Sequence, residues 1–140
     1  MNTKVLLAAL AGGVAFFLLG WLVFGILLDP YFRTLLTLEG AAVMKATPVM
    51  WALVAANLVS GLLLALIYSR WANISTFKTG AIAGAVICLL ISLSYDLFFF
   101  AFMNMSTGMT TLLIDPIANG VVGALAGGVV GWVLGYGQRT

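Results

Sequence analysis

Between Asp115 and Gly135 the chain reads DPIANGVVGALAGGVVGWVLG, an apolar run with no charge after its first residue. At ~1.5 Å of rise per residue it is long enough, as a helix, to cross a hydrocarbon layer of ~30 Å. Every fourth residue is small or polar: Asp115, Asn119, Gly123, Gly127, Gly131 and Gly135. In lipid such a row lets a second helix approach backbone to backbone, because no side chain holds it off. A second row of the same spacing, Gly80, Gly84, Cys88, Ser92 and Asp96, lies on the apolar run before it. The two runs therefore read as a helical hairpin packed through glycine-zipper faces, with Gly80, Gly84, Gly123, Gly127, Gly131 and Gly135 as its packing positions.

Composition places that hairpin in a bilayer. Of 140 residues 64% are hydrophobic and 7% charged, whereas a soluble domain carries about a quarter of its residues as charges. The net charge of +2 gives no reason to expect a nucleic-acid partner. The chain has no histidine and one cysteine, Cys88, inside an apolar run. These counts remove histidine-based triads, zinc clusters and internal disulfides, so the sequence implies no metal site, no cofactor and no catalytic group.

Read in order, the chain implies four spans at about 5–28, 48–68, 80–103 and 116–136, and no soluble domain. The first apolar run is too long for a cleaved signal and reads as a retained helix. Asp29-Pro30, Thr47-Pro48 and Asp115-Pro116 share one pattern: a residue able to accept backbone N–H bonds, then a proline suited to a first helical turn. Asp29, Thr47 and Asp115 are accordingly expected as helix caps. Between the first two spans, Tyr31, Phe32, Leu35 and Leu36 beside Arg33 suggest a short helix lying in the membrane interface. Lys4, Arg70, Lys78 and Arg139 collect on one side, against Arg33 and Lys45 offset by Asp29 and Glu39 on the other. Because Lys and Arg are retained on the cytoplasmic side, both termini are expected there. The fold class is thus an all-α integral membrane four-helix bundle.

Laid antiparallel about a turn near Thr107, the two rows set Gly80 against Gly135, Gly84 against Gly131, Cys88 against Gly127, Ser92 against Gly123 and Asp96 against Asn119. Such a row drifts by about 40° per step around a helix of 3.6 residues per turn, so contact along all of it is not expected. Asp96 and Asn119 would lie roughly 10 Å below the outer helix ends, with Asn57 and Trp21 at a similar level. Polar groups facing lipid are costly, so Asp96, Asn119, Asn57, Ser92 and Trp21 form the candidate intramembrane polar site. Two roles fit Asp96. It is either a protonatable transport site or a neutral acid that bonds Asn119 and holds the helices together.

The run IYSRWANISTFKTGAIAG across the second loop and the close GGVVGWVLG resemble a group of short, four-span bacterial inner-membrane proteins of unassigned function. The resemblance implies fold and membrane location, and brings no activity with it. The small-residue rows and scarce polar groups favour a non-enzymatic packing or accessory subunit that docks on lipid, on itself as a homo-oligomer or on a larger membrane complex. The alternative is a small oligomeric transporter or channel that uses Asp96.

Overall fold

A computed structural model describes residues 2–137. Helix α1 runs Thr3–Gly20 and continues in wider π turns over Trp21–Leu27; α2 spans Asp29–Leu35 and α3 Leu38–Val43. Helix α4 runs Met50–Ile67 and continues in π turns over Tyr68–Ala72, followed by α5 at Phe77–Phe102 and α6 at Thr111–Gly135. Four of these, Thr3–Leu27, Met50–Ala72, Phe77–Phe102 and Thr111–Gly135, are long and apolar enough to cross a membrane. By length and composition the chain has the form of a multi-pass membrane protein. The described residues contain no strand, only an isolated antiparallel bridge between Leu36 and Ser106.

Helix α6 sits in the middle. It packs along α5 on one side and against α1 on the other, while α4 packs mainly on α1. The buried core draws on α1 (Val5, Ala8, Phe16), the α4 helix (Leu64, Ala65, Tyr68) and α6 (Val122, Ala126, Val130). Small residues set the helix spacing. A β-carbon added at Gly13 would fall 2.9 Å from the Cα of Leu58, so α1 and α4 meet nearly backbone to backbone.

The α5–α6 interface departs from the expected register by one step. Gly80 lies against Gly127 and Gly131, Gly84 against Gly123 and Gly127, and Gly123 against Cys88. Farther along, Ser92 bonds Asn119, and Asp96 lies next to Asp115. The cause is the start of α6. The apolar residues Leu112, Leu113 and Ile114 carry the helix back to Thr111, so Asp115 belongs to the packed row instead of opening it. Contact also continues along the entire row, as far as Gly135 against Ser75. A row that drifts at each step keeps contact only where the two helices wind around one another.

The three expected caps are corrected by the same observations. Asp29 is already inside α2, and its carboxylate accepts from Arg33 Nε at 2.7 Å, one turn on. Thr47 lies two residues before the cap position of α4, which is Val49 and makes no side-chain cap. Asp115 is inside α6, and Pro116 occupies a helix interior. The side-chain caps observed are Asn2, Thr37 and Thr76, which accept from Lys4, Gly40 and Thr79 N–H groups. Proline marks a first helical turn only at Pro30; Pro48 precedes α4, and Pro116 lies in the second turn of α6.

Where one short interfacial helix is expected, there are two, α2 and α3, and they dock on the α5–α6 loop. Thr37 N–H donates to the Met105 carbonyl at 3.1 Å and Thr107 N–H to the Leu35 carbonyl at 2.6 Å. At the opposite end Asn2, Lys4, Ser69, Asn73 and Ser75 share a small cavity of about 310 Å3. Lys4 therefore lies at the same end of the molecule as Arg70, in the π turns that close α4, and Lys78, in the first turn of α5. Arg139, also used to orient the chain, lies outside the described residues.

Candidate functional site

Four polar side chains meet where α5 crosses α6. Ser92 and Asp96 stand one turn apart on α5, Asp115 and Asn119 one turn apart on α6, so each pair presents one helix face to the other. The Ser92 hydroxyl donates to Asp115 Oδ2 at 2.7 Å and lies 3.4 Å from Asp96 Oδ2. Asn119 Nδ2 donates to Ser92 Oγ at 2.9 Å and to Asp115 Oδ2 at 3.0 Å. It also reaches its own helix at the Asp115 carbonyl, 3.1 Å away. Ser92 is buried, and the other three are half-buried. Every buried side-chain nitrogen and oxygen among the described residues has a partner.

The direct bond expected between Asp96 and Asn119 is not formed. The shifted register brings Asp115 opposite Asp96 and Ser92 opposite Asn119, so the amide reaches Asp96 only through the serine. Asn57 and Trp21 stand apart from this network. Asn57 donates to the Leu53 carbonyl of its own helix at 2.7 Å, and Trp21, at the start of the α1 π turns, is 60% exposed. Both still face the same space as the four.

That space is a cleft of about 700 Å3 between α4 and α5, with α1 and α6 behind it. Its lining includes Trp21, Asn57, Ser60, Ser92, Asp96, Asp115 and Asn119. A second cavity, of about 620 Å3, lies toward α2 and the α5–α6 loop, bounded by Phe32, Leu36, Phe99, Met105 and Leu112. Asp96 and Asp115 line both cavities. Phe99 lines both as well, so the two acids lie with it where the cavities meet.

Asp115 is the residue the sequence misassigned. The signal lay in its place at the head of the four-residue row, four positions before Asn119, and the following proline masked it. Tyr68 was missed as well. Fully buried, it donates its hydroxyl to the Gly80 carbonyl at 2.6 Å and ties the end of the α4 helix to the start of α5. All six glycines expected to pack lie against backbone of their own chain.

Chemically the site supplies oxygen donors: two carboxyls, a hydroxyl and an amide that orients them. Such a set can hold a proton or a small cation. No group of three or more His, Cys, Asp or Glu side chains comes together among the described residues. Comparison with protein-family models, with curated proteins and with solved structures finds no match.

Proposed function

We propose that this chain is a small transporter or channel of a bacterial inner membrane that passes protons or small monovalent cations through the Asp96–Asp115 pair. One observation carries the reading: two acids on facing long helices share a serine and border two cavities where these meet. Ionisable groups at such depth are costly and mark ion pathways or proton relays in many membrane proteins. Lys4, Arg70 and Lys78 at one end support cytoplasmic termini, and a four-helix bundle with α6 at its centre is the working architecture. The protein acts without enzymatic chemistry in this reading. The accessory reading rests on the small-residue rows and the scarce polar groups; the six glycines of those rows lie against backbone of the same chain, which supports the transporter reading over it.

The test is flux. Purified protein in proteoliposomes containing a pH-sensitive dye is expected to pass protons above the level of empty vesicles, and with a sodium-sensitive dye in its place to pass sodium ions. Asp96→Asn, which preserves shape and hydrogen bonding, is expected to lower that flux by about tenfold or more while melting like the parent. Equal flux in parent and variant would remove the reading.

A further inference from the structure

The cleft between α4 and α5 has walls and a floor of different kinds. Helix α4 packs mainly on α1 and helix α5 on α6, and the two scarcely touch one another, which leaves the cleft open sideways. In a bilayer that opening faces lipid. Phe16, Phe17, Trp21 and Phe24 from α1 and Tyr95 and Phe99 from α5 line it with aromatic rings. The floor holds Asp96 and Asp115, and no Lys or Arg lines the cleft.

Each simple occupant satisfies only half of this. An acyl chain would match the rings and leave two carboxyls against hydrocarbon, at the cost of an unmet polar group. A small hydrated metal ion would match the acids and leave the aromatic walls unused. A cation with an apolar body satisfies both, with its charge on the acids and its body between rings that attract cations through their faces. A volume of about 700 Å3 falls within the size of clefts that take drug-sized molecules.

We propose that the cleft binds a lipophilic organic monocation, an onium ion or protonated amine, which enters sideways from the bilayer and sets its charge against Asp96 and Asp115. The proposal rests on the reading of that pair as a cation site and adds the chemical class of the ligand and its route.

The experiment uses tetraphenylphosphonium and the full chain in nanodiscs of zwitterionic lipid. Calorimetry is expected to show saturable binding above that of empty nanodiscs. Binding is expected to weaken by about tenfold or more in Asp96→Asn/Asp115→Asn, which removes the charge, and in Ser60→Phe, which fills the cleft. In the unmodified protein, the neutral isostere tetraphenylmethane is expected not to compete, a comparison that needs no variant to fold. Absence of saturable binding, equal binding in the variants, or competition by the neutral isostere would each overturn the proposal. If proton flux were still lost in Asp96→Asn, the pair would stand as a proton site without this ligand.

Discussion

Ser92 donates its hydroxyl to Asp115 across 2.7 Å, from one long helix to the next. Asp96 lies 3.4 Å from the same oxygen, and a hydroxyl has one proton to give, so Ser92 serves one acid at a time. This separates a site residue from a cap. Asparagine caps a helix about as well as aspartate, so Asp115→Asn would be silent if the acid only started α6. It is instead expected to melt like the parent and to lose proteoliposome flux by about tenfold or more. Normal flux in that variant would return Asp115 to a structural role.

Packing of the α5–α6 pair depends on Gly127. A β-carbon there would lie 2.6 Å from the Gly80 carbonyl oxygen and 2.9 Å from the Gly84 Cα, both backbone atoms that cannot swing aside. Gly127→Leu is expected to cost on the order of 3 kcal/mol, or to prevent folding. Val130→Leu, a reasonable control from the sequence alone, is not one, because Val130 is fully buried. Val121, 52% exposed, is the proper control, and Val121→Leu is expected to be neutral. Thermal unfolding in detergent distinguishes the two, and equal stability would contradict the observed interface.

Tyr68 offers a smaller, cleaner perturbation. Its hydroxyl reaches the Gly80 carbonyl with no exposure to solvent, and Phe would fill nearly the same volume without the donor. The Gly80 carbonyl keeps its place in the α5 ladder, so Tyr68→Phe is expected to cost about 1 kcal/mol. An unfolding curve that overlays the parent's would mean that the bond contributes nothing net.

The long helices were legible because apolar runs of spanning length have few alternative structures, and the glycine rows marked the faces that meet. Register was not legible. It depends on where α6 starts, and Asp115-Pro116 carries the same local chemistry whether it opens a helix or lies one turn inside it. That single turn decided the site as well, since it put Asp115 opposite Asp96 and moved Asn119 onto Ser92. Asn57 and Trp21 were placed near the site by depth alone; rotation about the helix axis, which small polar content does not fix, left them lining the cleft and outside the network. Thr37 and Thr76 as caps had a readable signal, a hydroxyl residue just before a helix, that the prolines outweighed.

Orientation is open to direct measurement. Lys4, Arg70 and Lys78 belong to one end, and Arg33 and Lys45, with Asp29 and Glu39, to the segment between the first two long helices. Reporter fusions within the loop that holds Asn73, or after Arg139, are expected to report cytoplasm, and fusions near Glu39 or Thr107 the opposite side. A periplasmic signal from the C-terminal fusion would invert the assignment.

The last expectation concerns the lid-like segment over the second cavity. Gly40 is buried against the Met105 carbonyl, so a β-carbon there would strike backbone. The docking it permits is held by Thr37 N–H on Met105, Thr107 N–H on Leu35 and the Thr37 hydroxyl on the Asn104 carbonyl. Phe32, Leu36 and Met105, which this contact brings together, wall the cavity that reaches Asp96 and Asp115. Gly40→Ala is expected to loosen α2 and α3 from the α5–α6 loop while α5 and α6 keep their own interface. Hydrogen exchange at the Thr37 and Thr107 amides should then rise by about tenfold, the signature of a local opening made easier by ~1.4 kcal/mol, with amides in the middle of α6 unchanged. Unaltered exchange at those two amides would show that the close approach at Gly40 does not hold the segment down.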